Sequence, residues 1–516
     1  MSNLQRLIRE VTHLSFSNSN FLLLLRIDHF GSFGEGINIF IKENRYTGEI
    51  YSDREVFLDK LQTTFFSSYL LEMYVVYANG NKELYIDTLY WMTKQLNFDP
   101  KLHKPMQKIF NYYNNFHPKE NGLLSSIATI LLPITYEQMD IQDKYESHFN
   151  RFYAIYGSNA EVNELYRNKY NLTLKRYLAI SWALFAYVGK RKTEFTKDEF
   201  CNFMSSTSVT KDEIYSFLNL VSLTRKEFQE KYIVFRKKVP NDSLLDWSDR
   251  EAVDKALPRV SYFFPLLRNE EHYSLISFTA IKEFLKFKGL YRSMTEGLRD
   301  VHFKQRFSGP LFERYVRELA SKYDSQHSLN AKIYGDDTYY ISKGKEKREP
   351  DTIIETDEYM VFIECKTSPF SLNLIKYLDK KYLKNLQESI EKSVINIDTF
   401  LQYRAKDKIG KKIAKIIVFS EGIHMAFTML KSDIQGVSDL KEIFVMDIES
   451  LELLLSEYTK PIPEILDDFK AAEKIDSINL NGYIRSTLKN QFIVEEDNEI
   501  LHHIVKEELG LIIDEN

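Results

Sequence analysis

Hydrophobic spacing changes character along the chain. Over most of the first 290 residues apolar positions recur every three or four residues, as in residues 70–76, 84–96, 163–170 and 177–188, which predicts amphipathic helices. Alternation over residues 38–42 predicts a strand, with a turn at 44–48. Residues 257–267 and 273–278 predict a β-hairpin turning at 269–271, followed by a helix from Thr279. Beyond Gly289 the pattern becomes mixed. A helix opens at Ser308, with Pro310 in its first turn and Phe312, Tyr315, Val316 and Leu319 on one face. Strands are predicted near 331–334, 338–342, 351–354 and 359–363, then a long helix over about 371–404. Further strands at 413–420 and 443–447 and a helix over 448–458 complete this part. The divisions expected are a mixed region at 1–100, a mainly helical region at 101–290, a further domain at 291–460 and an acidic helical tail at 461–516.

Two segments begin alike, Thr196-Lys-Asp-Glu199 and Thr210-Lys-Asp-Glu213, and each is a capping box that starts a helix. Joined by Ser205–Ser208, they read either as a helix-turn-helix or as an ordinary helical hairpin. The stripe Ile214, Phe217, Leu218 and Val221 favours the hairpin, because those positions form a core face.

Composition narrows the class. The 516 residues are 44% hydrophobic, with 36 Phe and 33 Tyr, too apolar for a chain that stays disordered. Gly at 18 and Pro at 12 exclude collagen-like and loop-dominated chains. Two cysteines, Cys201 and Cys365, can build neither a disulfide framework nor a zinc cluster. With no signal-peptide core at the start and no membrane-length apolar run, a cytoplasmic protein without membrane association is expected. The net charge of −5 hides an uneven distribution. Residues 376–415 carry eleven Lys/Arg against five Asp/Glu, and residues 461–516 carry five against thirteen. A local basic face, rather than the total, decides nucleic-acid affinity.

The chemistry concentrates in residues 349–366. If Asp357 and Glu358 form a tight hairpin loop, Thr356 pairs with Tyr359 and the ladder sets Asp351 opposite Glu364. Lys366, two residues further, shares their face, and Cys365 points the other way. Opposed carboxylates repel unless a cation sits between them, and hard divalent ions take oxygen ligands. Two carboxylates with an adjacent ammonium could hydrolyse a phosphodiester with metal assistance. The competing reading is a surface hairpin with a simple Glu–Lys pair. No phosphate-binding loop of the P-loop type and no Gly-x-Ser-x-Gly elbow occur in the chain. The adjacent His502 and His503 fall on different helix faces and make a poor ligand pair.

Pro350-Asp351 and Glu364-Cys365-Lys366 resemble the two halves of the PD-(D/E)xK motif of the restriction-endonuclease-like nucleases. Phe312-Glu313 resembles the first-helix glutamate of their Mrr-like members. The predicted order over residues 308–458 is similar to that superfamily's α-β-β-β-α-β core. With the mainly helical N-terminal region read from spacing, the chain is expected to be α+β and multidomain, and the resemblance implies a mixed sheet flanked by helices for residues 308–458. It implies a metal-dependent nuclease, with Asp351, Glu364 and Lys366 catalytic and Asp351, Glu364 and Glu313 holding Mg²⁺ or Mn²⁺. Nucleic acid is the implied partner, DNA ahead of RNA, and prokaryotic defence against phage or foreign DNA is an implied setting. For Glu313 a solvated helix position is the competing reading. Lys376, Lys380, Lys381 and Lys384, on the long helix, form either a phosphate-gripping face or a solvated surface. Gln387 is followed four residues on by Glu391, where some members have Tyr, so an exonuclease-type site is not implied. The alternatives are a non-catalytic binding or assembly subunit, or a nuclease active only with a partner. The first 290 residues are expected to target or restrain the site, through a protein partner or a second copy of the chain.

Overall fold

Three helix starts in the N-terminal half are set by capping boxes. A computed structural model describes residues 9–17, 21, 24, 64–82, 145–189, 193–236, 260–270, 272–286, 289–291, 293–294, 303–342, 345–367, 380–405, 410–420, 443–457, 460–476, 480, 483–484 and 504–510. The expected strand at 38–42, its turn, the helix at 84–96 and His502–His503 lie outside those residues. Helix α1 (Thr64–Tyr77) precedes α2 (Tyr145–Phe152), α3 (Ala160–Tyr170) and the apolar α4 (Leu174–Gly189). Strand β1 (Glu194–Thr196) leads into α5 (Lys197–Phe203), and α6 (Lys211–Val221) follows. Both capping boxes form: Thr196 and Thr210 hydroxyls accept the amides of Glu199 and Glu213 at 3.2 and 3.3 Å, and the glutamates reach back. Ile214, Phe217, Leu218 and Val221 are buried, so this pair is a helical hairpin packed into the core. Strand β2 (Ser222–Leu223) then precedes α7 (Arg225–Arg236), which opens on a third box, Thr224 with Glu227, that the sequence reading passed over.

The predicted hairpin exists but is shorter than expected. Strands β3 (Leu266–Asn269) and β4 (His272–Leu275) pair antiparallel, whereas Val260–Tyr262 is a 3₁₀ turn. Pro265, with no amide to give the ladder, stands directly before β3. A four-stranded sheet runs β1-β4-β3-β2, and α8 (Phe278–Leu285) follows it.

The C-terminal half places one larger sheet between helical layers. Helix α9 (Gly309–His327) comes first, then β5 (Lys332–Tyr334), β6 (Thr338–Ser342), β7 (Lys345–Arg348), β8 (Thr352–Glu355) and β9 (Tyr359–Lys366). Helix α10 (Lys380–Arg404), β10 (Lys412–Phe419), β11 (Ile443–Asp447), α11 (Ile448–Glu457) and α12 (Ile462–Asp476) follow. The sheet runs β11-β10-β9-β8-β5, with β9, β10 and β11 parallel and β8 and β5 antiparallel. Strands β6 and β7 form a separate two-stranded ribbon. Strand alternation divides the core. Val361, Ile363 and Cys365 join α9, α11 and α12. Met360 and Phe362 face the other way, onto Ile397 and Phe400 of α10, with Tyr339 of the ribbon. The fold is therefore mixed α+β, as the periodicity indicates.

The core does not stop at residue 290. One cluster of buried side chains runs from Phe149 and Tyr177 through Phe312, Val361 and Leu454 to Leu509. The acidic segment after residue 460 is tied in as well. Helix α12 packs beside β10, Ser208 donates its amide to Leu509 O at 2.8 Å, and Lys175 and Arg176 of α4 pair with Glu508. Opposite charge on α4 gives the tail's carboxylates a place to dock. No described helix is long and apolar enough to cross a membrane.

Candidate metal centre

The register of β8 and β9 is the one counted from the sequence. Thr356 donates its amide to Tyr359 O at 3.0 Å, and the pairs continue Glu355 with Met360 to Thr352 with Ile363. One further step sets Asp351 beside Glu364 at the head of β8. Asp351 Oδ2 accepts the Cys365 amide at 2.6 Å, which fixes the carboxylate at the carboxyl end of β9. Glu364 and Lys366 emerge on the α10 side of the sheet, whereas Cys365 is buried on the other.

A second turn adds a residue that the sequence reading missed. Gly335 has φ +140° and Asp336 φ +63°, in the left-handed region that disfavours side chains. A Cβ at Gly335 would lie 2.4 Å from Pro350 O, so only glycine permits so close an approach. Asp336 N donates to Pro350 O at 3.0 Å, and Glu349 N donates to Asp337 O at 2.8 Å. These bonds extend the β6–β7 ladder backwards and bring Asp336 next to Asp351. Glu313 arrives from the first turns of α9. One carboxylate oxygen from each of Glu313, Asp336 and Asp351 lies within 4.8 Å of the others, all half-buried. Four residues along α9, Arg317 donates to Asp351 O at 2.8 Å and holds the loop against the helix.

Glu364 is not one of the three clustered acids, although it is the carboxylate that acts most strongly on Asp351. Its Oε2 accepts Lys366 Nζ at 3.1 Å, and its Oε1 accepts the Asn396 amide of α10 at 2.6 Å. Glu364 therefore stands outside the clustered trio and fixes the lysine. Asn396 carries no sequence signal, because only the packing of α10 on the sheet brings it there. Lys376 lies outside the described residues. Lys380, Lys381 and Lys384 lie on the α10 backbone with side chains outside the description.

The electrostatics are those of a site short of positive charge. Burial, then Glu364, pushes Asp351 from 3.8 up to about 8. Burial and the neighbouring Asp336 raise Glu313 too. Burial alone would lower Lys366, but Glu364 and Asp351 outweigh it and hold the ammonium above its usual value. Three hard oxygen donors whose charged forms are disfavoured in each other's company suit a divalent cation, which relieves that repulsion. Glu313, Asp336 and Asp351 could hold such an ion.

A pH dependence follows. An Asp351 raised in the folded state binds a proton that the unfolded chain has already released between the ordinary carboxylate range and about pH 8. Its contribution to stability is fully present below about pH 4 and is lost as pH rises through about 8. Metal-free protein is therefore expected to melt at lower temperature at pH 8 than at pH 6, and Asp351→Asn is expected to flatten that difference. Thermal melts in EDTA check this, and an unchanged slope in the variant would remove Asp351 as its source. Mg²⁺ affinity should rise over the same interval, because the cation displaces the proton.

Comparison with known proteins gives no match to a family model, a curated protein or a solved structure.

Proposed function

We propose that the chain is a divalent-metal-dependent nuclease of the PD-(D/E)xK kind, hydrolysing phosphodiester bonds in DNA. The observation that carries this reading is the convergence of Glu313, Asp336 and Asp351, from a helix, a turn and a strand start, next to a half-buried Lys366 paired with the buried Glu364. Surface acid clusters need no ammonium fixed at their edge by a buried carboxylate. The element order supports the same reading. A helix, antiparallel β5, β8 and β9, the α10 crossover and parallel β10, with the β6–β7 ribbon inserted after β5, resemble the α-β-β-β-α-β order of that superfamily.

Glu313, Asp336 and Asp351 are the residues that would hold Mg²⁺ or Mn²⁺. When bound, such an ion lowers the pKa of a coordinated water and neutralises phosphate charge. Lys366, kept charged by Glu364, is placed to neutralise the negative charge that builds on the phosphate during attack. Asn396 prevents Glu364 from turning away, and so keeps the ammonium in place. Arg317 clamps the Asp351 backbone to α9 and maintains the distance between Glu313 and Asp351.

The test is incubation of the purified full chain with Mg²⁺ or Mn²⁺ and labelled duplex DNA, single-stranded DNA and RNA, with EDTA controls. Divalent-dependent cleavage that vanishes in Asp351→Asn is expected. Cleavage of none of these, or cleavage equal in EDTA, would overturn the reading.

A further inference from the structure

The β6–β7 ribbon is absorbed by neither the sheet nor the acid cluster. Its inner face is structural: Tyr339 is buried and meets Phe400 edge-on at 5.7 Å, with Ile341 beside it. Strand alternation puts Thr338 and Tyr340, with their cross-strand partners Arg348 and Glu346, on the opposite face. That face is open. Tyr340 is 68% exposed, a high value for a tyrosine on a paired strand. The charged residues of that face are Arg348 and Glu346, both exposed, whereas Lys347 stands opposite Tyr339 on the inner face. The ribbon is also joined to the site, because Arg348 Nη1 lies 3.3 Å from Asp336 Oδ1.

We infer that the outer face of this ribbon is the platform for the substrate strand, with Tyr340 stacking on an unpaired base and Arg348 contacting a phosphate. The inference rests on the nuclease reading for its substrate class. An exposed tyrosine needs an open base face, and in a duplex both faces of each base are covered by its neighbours, so the segment bound is single-stranded. A site of carboxylates and a lysine works with an external nucleophile, which DNA, lacking a 2′-hydroxyl, requires. Single-stranded DNA is the occupant assigned, because it is the strand that has no nucleophile of its own. Arg348 is the cation that this face offers to a phosphate, and its contact with Asp336 sets the face beside the carboxylates.

Binding can be separated from cutting. In an Asp351→Asn background, full-length protein is titrated against a fluorescent 20-nucleotide single strand, its duplex and an RNA of the same sequence, with anisotropy as the readout. Tyr340→Ala is expected to weaken single-strand binding at least about fivefold, the low end for losing one stacked base. Tyr340→Phe should keep it, and the duplex should be unaffected. Arg348→Gln should flatten the log-affinity against log-salt slope by about 0.7, one phosphate contact on a single strand. Unchanged single-strand affinity in Tyr340→Ala, or tighter binding of duplex or RNA, would overturn the inference even if the enzyme cuts. Tyrosine-dependent single-strand binding with no cleavage under any metal would support the platform while refuting the nuclease reading.

Discussion

Asp351→Ala is expected to abolish divalent-dependent cleavage while leaving a folded protein. Its carboxylate belongs to the clustered trio, so its loss removes a donor at the point where Glu313 and Asp336 also converge. The rate should fall by about 10²–10³-fold or more, the scale of losing one preorganised electrostatic element. The fold should survive because two local effects oppose each other. The bond from the Cys365 amide is lost, at a cost of roughly 1 kcal/mol. Against this, the burial and repulsion that push Asp351 up to about 8 are relieved. Asn396→Ala acts one step further away, through Glu364, and should cost roughly 10–100-fold, as outer-shell partners do. If Glu364 works by fixing Lys366, the losses in Glu364→Gln and Lys366→Ala should be strongly non-additive. Rates and circular dichroism on the same preparations decide this. Full activity in folded Asp351→Ala would remove the trio from the chemistry.

The site was legible in the sequence where local pairing builds it, and illegible where distant packing does. The β8–β9 register could be counted from a two-residue loop, because strand periodicity leaves no freedom once the turn is placed. The same counting could have found Asp336: the ribbon's ladder, extended backwards from Thr338 and Arg348, sets Asp336 against Pro350. Spacing alone does not say that the 338–342 strand pairs with β7 in a ribbon of its own, which is the pairing that this count needs. Asn396 offered no such route, since it lies 32 residues from Glu364 and meets it only through α10 packing on Phe362 and Met360. The capping boxes were readable because every atom they need lies within four residues. Continuity of the core past residue 290 was not, because periodicity marks a buried face without saying what covers it.

That continuity has its own large expected effect, at Arg151 and Glu452. Arg151 of α2 donates from Nε and Nη2 to the two oxygens of Glu452 on α11, at 2.6 and 2.5 Å, and Tyr315 of α9 donates to the same carboxylate at 2.8 Å. The Arg151 side chain is 4% exposed. Burial alone would lower its pKa, but Glu452 outweighs that and holds it above its usual value. Removing one partner of such a pair leaves an uncompensated buried charge, which costs about 3–5 kcal/mol. Glu452→Ala should therefore shift the urea midpoint of the full chain strongly downward. An Arg151→Met, Glu452→Leu double variant should recover most of the loss, because apolar side chains of similar volume remove both charges together. Equal damage in the single and double variants would mean that shape, not charge, holds this junction. The same contacts bear on a fragment of residues 291–516, which by spacing alone would contain a complete domain. It would leave Glu452 and Tyr315 without Arg151, Ser293 without the Tyr177 hydroxyl, and Phe303 without Tyr156. Its apolar face towards α2 and α4 would be open to water. The fragment is therefore expected to show no cooperative unfolding transition. A sharp transition from residues 291–516 alone would show that the C-terminal half carries a sufficient core of its own.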